Sequence, residues 1–205
     1  MNKTPKPHDL LWGMTSDQLP ADAPAWAHQA LAAGHPVVVR RAVCADGWVA
    51  VGIRGTSRDQ RLAAVMPVHA IQRLLSPEQL RPRAVADFPA LRALEVVAPI
   101  LATTGLPWGP TGSVGFQLAT GIAVLHEASD LDLILRTPCA IDRQHARALL
   151  AVLDDAPCRI DLQLETPNGA VALREWAGEA RRVLLKCVEG ARLVDNPWHV
   201  LEHAA

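Results

Sequence analysis

Residues 159–165, Arg-Ile-Asp-Leu-Gln-Leu-Glu, alternate polar and branched aliphatic side chains at every step. Successive side chains of a β-strand point to opposite faces, so this pattern describes a strand with one buried and one polar face. The run Asp130-Leu131-Asp132-Leu133, continued by Leu135, repeats it. Two such strands in one sheet would put Asp130, Asp132, Asp161, Gln163 and Glu165 on one side. Leu131, Leu133, Leu135, Ile160, Leu162 and Leu164 would form the other, an apolar face that needs a cover of helices.

The intervening sequence can supply that cover. Residues 89–103 are rich in Leu, Ala and Val at helical spacing, residues 114–120 open a short helix after a glycine-rich turn, and Asp142 stands where it caps a helix through His145, Leu149 and Leu153. Residues 171–173 and 183–187 extend the sheet. Nearer the start, residues 25–33 with the following Gly34 predict a short helix and its stop, and the β-branched runs 36–40 and 48–54, separated by Ala45-Asp46-Gly47, predict a hairpin. Residues 68–75 have helical composition. The breakers Ser76-Pro77-Glu78 and Arg81-Pro82-Arg83 set a boundary in this neighbourhood. The expected fold is therefore α/β (α+β): a small N-terminal α+β module, 1–83, serving substrate or carrier binding, and a C-terminal domain, 84–205, whose mixed sheet carries helices on one face.

Composition narrows the function. Half of the 205 residues are hydrophobic, enough for a substantial core, and the net charge of −1 lacks the basic excess of a protein that tracks a nucleic-acid backbone. Apolar stretches are broken by charges, Pro or Gly, and residues 1–12 carry Lys3, Lys6, His8 and Asp9 where a secretion signal would be apolar. No nucleic acid and no membrane are expected as partners. Cys44, Cys139, Cys158 and Cys187 are scattered without a C-x-x-C pair, as free thiols of a cytoplasmic protein would be. Up to Arg83 there are ten Lys and Arg against six Asp and Glu, and from Ala84 onward ten against fifteen. The basic half holds Arg54, Arg58 and Arg61 around Gly55-Thr56-Ser57, and guanidinium groups suit bidentate recognition of phosphate.

The chemistry concentrates in Gly109-Pro110-Thr111-Gly112-Ser113-Val114-Gly115-Phe116 and in the Asp130/Asp132 pair. Gly112 and Ser113, at the mouth of a helix, can offer backbone N–H groups and a hydroxyl to phosphate oxygens, helped by the helix dipole. Asp130 and Asp132 share one strand face, and two carboxylates with substrate phosphates are a usual ligand set for Mg²⁺. Asp161 is a third acid on the matching face of the later strand. Clustered carboxylates repel unless a cation compensates them, so all three are candidate metal ligands and catalytic groups. Each feature alone is common in proteins: glycine turns precede many helices, and an Asp-x-Asp also marks solvated strand ends. Their coincidence is what points to nucleotidyl transfer.

The order Gly-Ser, helix, strand with Asp-x-Asp, then Asp on a following strand resembles the nucleotidyltransferase superfamily of the DNA polymerase β type over residues 108–164. The sixteen residues between Ser113 and Asp130 are a long spacer for that superfamily. Over almost the whole chain, Lys6-Pro7-His8-Asp9-Leu10-Leu11-Trp12, Gly52-Ile53-Arg54-Gly55 with Arg58, Gln60 and Arg61, residues 108–121, 129–133 and 161–176, and Asn196-Pro197-Trp198 resemble the malonate decarboxylase holo-acyl-carrier-protein synthases, also called phosphoribosyl-dephospho-CoA transferases. That resemblance implies attachment of the phosphoribosyl-dephospho-CoA group of 2'-(5''-triphosphoribosyl)-3'-dephospho-CoA to a serine of the apo acyl-carrier subunit, with release of pyrophosphate. It implies Mg²⁺ at Asp130, Asp132 and Asp161, catalysis by the same acids, and phosphate binding by Gly112 and Ser113. Two other functions fit the residues: a nucleotidyltransferase using an ordinary nucleoside triphosphate on a small molecule or protein, and an inactive domain that binds an acidic carrier.

Overall fold

The protein is described from a computed structural model over residues 4–57, 59–81 and 87–199. The N-terminal part is an antiparallel sheet of β1 (Leu10–Trp12), β2 (Val37–Val39), β3 (Trp48–Arg54), β4 (Arg61–Pro67) and β5 (Arg73–Leu75), in the order β4-β3-β2-β1-β5. The hairpin read from the β-branched runs is β2–β3, with Val38 opposite Gly52 and Val39 opposite Val51. One face buries Val37, Val39, Val51, Ile53 and Met66 against α1 (Ala25–Ala32).

Residues 68–75 are not a helix. They form a 3₁₀ turn at Val68–Ala70 and then β5, because Leu74 and Leu75 pair with Leu11 and Leu10 of β1. That long-range pairing overrides local helix propensity.

The second sheet is mixed. It contains β6 (Trp108–Pro110), β7 (Leu131–Arg136), β8 (Ile160–Thr166), β9 (Gly169–Ala172), β10 (Val183–Cys187) and β11 (Gly190–Val194), in the order β11-β10-β9-β8-β7-β6. Only β7 and β8 run parallel; their crossover is α4 (Arg143–Asp154), started by the Asp142 carboxylate accepting from the His145 amide at 2.8 Å. With α2 (Pro89–Thr103), α3 (Gly112–Thr120) and α5 (Leu173–Ala177), α4 covers one face of the sheet, over a core of Leu94, Val114, Leu131, Leu133, Leu135 and Leu164. Each fully buried leucine stabilises by about 1.5–3 kcal/mol, which fixes the alternation of β7 and β8 in register. Trp198 docks the end of the chain, its indole N–H donating to the Thr137 carbonyl at 2.7 Å and its ring edge-on to Trp176 at 5.3 Å.

The polar face of the second sheet looks toward the first. Arg41, beyond the end of β2, makes a bidentate pair with Glu165 of β8. Arg136 of β7 bonds Glu78 at 2.7 Å and lies 3.9 Å from Glu165. The expected boundary at Arg83 falls within residues 82–86, outside the described residues. Among the described residues, no helix is long and apolar enough to cross a membrane.

Candidate active site

The glycine-rich turn is fastened to the acidic strand. Pro110 pairs with Leu133, the Thr111 amide donates to the Asp132 carbonyl at 2.8 Å, and α3 starts immediately afterwards. Gly112 has φ +55°, and a Cβ there would lie 1.9 Å from Oδ2 of Asp132. The carboxylate thus rests against the glycine backbone, a contact and a conformation that no other residue accommodates without strain. The Thr111 side chain makes no cap bond to the start of α3. The first amides of a helix lack intrahelical partners, so this end carries partial positive charge beside Asp132.

The N-terminal sheet reaches the same point through Arg54. This residue is only 9% exposed, donates from Nη2 to the Ser113 hydroxyl oxygen at 2.9 Å, and lies 5.3 Å above the Phe116 ring. Its Nε is buried with no hydrogen-bond partner among the described residues. Burial first, then repulsion from Arg61, pull its pKa down to about 10, against the attraction of Asp132, so it is still a cation at neutral pH.

Two cavities adjoin this point. A polar one of about 500 Å³ is lined by Thr56, Ser57, Ser113, Ser129, Asp130 and Asp132. The second, about 520 Å³, lies between the two sheets. Arg54, Arg61, Gly112 and Asp132 line both. The part of the long spacer that follows α3, residues 121–129, builds one wall of the polar cavity: Gln117 Oε1 accepts from the amides of Val124 and Leu125 at 2.9 and 3.0 Å, and Ser129 Oγ accepts from the His126 amide at 3.0 Å.

The structure brings Gly112, Ser113, Asp130, Asp132, Arg54 and Arg61 together around the polar cavity. Arg58 lies outside the described residues. Asp161 pairs in register with Asp132, but its carboxylate accepts from Arg159 at 3.0 and 3.1 Å, and it lines a recess with Asp132, Arg174 and Lys186 that does not include Asp130. The three aspartates therefore do not form the expected three-carboxylate cluster. Among the described residues no group of three or more His, Cys, Asp or Glu side chains could hold a metal ion. The physical reason is the neighbour at Arg159, two residues before Asp161 on the same strand face. The remaining pair, Asp130 and Asp132 on one cavity wall, fits Mg²⁺ shared with substrate phosphates, since that ion binds through one or two carboxylates and keeps its other positions for phosphate and water.

Two further groups stand at the cleft that the sequence does not place there. Gln163 and His8 line the cavity between the sheets. Gln163 stands on the polar face of β8 two residues beyond Asp161, a signal present in the alternation. His8 has φ +73°, and burial, followed by the nearby Arg41, Arg136 and Lys186, lowers its pKa to about 4. No local pattern marks that position as part of a cleft.

Residues 74–197 match the family model of the phosphoribosyl-dephospho-CoA transferase MdcG C-terminal domain, and residues 6–77 that of the MdcG N-terminal domain. The chain is 64% identical over 201 residues to a phosphoribosyl-dephospho-CoA transferase of Pseudomonas putida strain W619, covering 98% of each. It is 58% identical over 206 residues to the protein of that name from Pseudomonas fluorescens strain Pf0-1, covering 100% of each. Against that from Pseudomonas aeruginosa strain PAO1 it is 53% identical over 201 residues, 97% of this chain and 96% of the relative. No solved structure matches the chain.

Proposed function

Because the chain belongs to the phosphoribosyl-dephospho-CoA transferase family and is a transferase, we propose that it moves the phosphoribosyl-dephospho-CoA group from its 5''-triphosphate donor to a serine of the apo acyl-carrier subunit of malonate decarboxylase, releasing pyrophosphate, in the cytoplasm. The observation that carries this reading is the Asp132 carboxylate pressed against Gly112 at the start of α3. It sets an acid beside a helix N-terminus, the pairing that nucleotidyl transfer needs and a nucleotidyltransferase-type domain would provide.

In this reading the amides at the start of α3 and the Ser113 hydroxyl grip the β and γ phosphates, while Arg54 holds Ser113 in place and Arg61 adds positive charge from across the cleft. Asp130 and Asp132 would hold Mg²⁺, which when bound supplies positive charge to the phosphate oxygens. The carrier's serine oxygen bonds to the α phosphorus, the bond to the bridging oxygen of pyrophosphate breaks, and that oxygen takes the electron pair. The serine proton passes to a carboxylate. Asp161, side by side with Asp132 on the parallel neighbour strand and 40% exposed at its side chain, is the acid we assign to take it from a serine arriving from solvent. Catalysis is then mainly alignment and electrostatics, and needs no nucleophile from this chain.

Intact-mass measurement of the apo-carrier after incubation with the donor and Mg²⁺ tests the proposal. The expected gain is one phosphoribosyl-dephospho-CoA group, lost with Asp130→Asn or Asp132→Asn. A gain of a nucleoside monophosphate from an ordinary triphosphate, or no gain with the donor, overturns it.

A further inference from the structure

The transfer reading assigns the polar cavity and leaves the one between the sheets without a role. Its floor is a single cross-strand row. Ala63 of β4 pairs with Gly52 of β3, Gly52 with Val38 of β2, Val38 with Leu10 of β1, and Leu10 with Leu75 of β5, and all five line the cavity. The small residues in that row leave depth between the sheets, and Pro110 and Phe116 line the cavity from the second half of the chain. The Arg40 stem lies over Gly52, its Cδ 3.4 Å from where a Cβ would stand, and lines the cavity.

Beyond Arg54, Arg61 and Asp132, which it shares with the phosphate cavity, this one is lined by Arg40, Gln163 and His8. Gln163 is an amide, and burial keeps His8 an uncharged imidazole at neutral pH. Uncharged donors and acceptors around an apolar floor suit a neutral heteroaromatic ring, and the Arg40 guanidinium beside them suits a phosphate. The volume of about 520 Å³ is within the range of small-molecule sites, roughly 300–1,000 Å³. The cavity opens onto the phosphate site at Arg54, whose buried Nε has no hydrogen-bond partner among the described residues.

We propose that this inter-sheet cavity binds the dephospho-CoA half of the donor, its adenosine lying on the Ala63–Leu75 row and its 5'-diphosphate meeting Arg40. The proposal rests on the transfer reading, since the donor's triphosphate end must then occupy the adjoining polar cavity. The N-terminal sheet becomes the specificity element, which selects the carried group while the second sheet handles the phosphates.

Calorimetric titration with dephospho-CoA and, separately, with inorganic tripolyphosphate plus Mg²⁺ tests it on the intact protein. Ala63 is exposed on the edge strand β4, so Ala63→Trp fills the cavity from its open side. The expected result is dephospho-CoA binding at least tenfold weaker in Ala63→Trp with tripolyphosphate binding unchanged, and the reverse in Asp130→Asn, which lines the polar cavity and not the inter-sheet one. Unchanged tripolyphosphate binding also reports that the variant is folded. Should Ala63→Trp lose both ligands, Ala63→Leu and Gln163→Leu are read in the same way. Dephospho-CoA binding equal to wild type in these variants, or wild-type protein that binds tripolyphosphate but not dephospho-CoA, overturns the assignment. Failure of the transfer reading looks different: dephospho-CoA binds and is displaced by the substitutions, yet the carrier gains no mass.

Discussion

Two rungs of the same strand pair, four residues apart, carry opposite arrangements of charge. At one end of β7 and β8, Asp132 stands beside Asp161; at the other, Arg136 stands beside Glu165. The Arg136/Glu165 rung closes on itself, with Arg41 and Glu78 completing an alternating network whose side chains are between 11% and 22% exposed. The Asp132/Asp161 rung sets like charges on adjacent strands, an unfavourable pairing that local cations offset: Arg159 bonds Asp161, and Arg54 attracts Asp132. One end holds the two sheets together, and the other is the end to which the proposed function assigns the metal and the phosphates.

The comparison breaks most sharply through transfer activity. Asp132→Asn is expected to cut transfer by about a thousandfold, the scale on which losing a transition-state electrostatic group acts, while leaving the urea midpoint unchanged or slightly raised. A normal transfer rate in this variant, measured by intact mass of the carrier, removes the functional assignment of that rung.

Glu165→Gln should do the opposite. It leaves Arg41 and Arg136 without their shared carboxylate in a half-buried setting, and breaking such a pair costs about 2–3 kcal/mol here, below the 3–5 kcal/mol typical of fully buried pairs. Chemical denaturation should show that loss, with transfer per folded molecule within about threefold of wild type at 1.4 kcal/mol per factor of ten. A large activity loss at unchanged stability would make the two ends equivalent.

The sequence exposed these two ends unequally. The alternation in residues 159–165, repeated in residues 130–133, places Asp132, Asp161, Gln163 and Glu165 on one face, because strand period is a local property. It could not show that Arg159 takes the Asp161 carboxylate, since side-chain direction within one face depends on neighbours rather than on period. Arg41–Glu165 spans 124 positions and Arg136–Glu78 58, and no pattern within either segment encodes such pairings. The same limit hid β1 and β5, three residues each, which form through pairing with distant strands, β1 with β2 and β5, and β5 with β1. Residues 190–194 were missed for another reason: β11 is an edge strand with little buried side chain, so alternation never develops.

Arg54 sharpens the comparison, because it is a buried cation from the first sheet at the functional end. Arg54→Lys keeps the charge and loses the fork that bonds Ser113 while lying over Phe116. Transfer should fall by about thirtyfold, chiefly through a higher Km for the donor, consistent with one charged hydrogen bond of about 1.5–3 kcal/mol. A variant with wild-type Km would make Arg54 part of the sheet-to-sheet packing instead.

The smallest effect belongs to His8, which lies against the structural end through Arg41 and Arg136 yet lines the inter-sheet cavity. Its folded pKa of about 4 is below the ordinary 6.5, with burial the main cause. Between these values the unfolded chain takes up a proton that the folded protein refuses, so stability falls as pH drops below about 6.5 and this contribution levels off near 4. At pH 5.5 the loss is about 1.4 kcal/mol relative to pH 8, one pKa unit of linkage. His8→Asn, chosen because asparagine tolerates the positive φ of +73°, should remove that part of the acid sensitivity while other carboxylate titrations remain. Urea midpoints at pH 8, 6.5 and 5.5 check it: the wild-type and variant curves should converge or cross toward low pH. Parallel curves would mean that His8 titrates alike in the folded and unfolded protein, so that burial does not hold its ring neutral in acid.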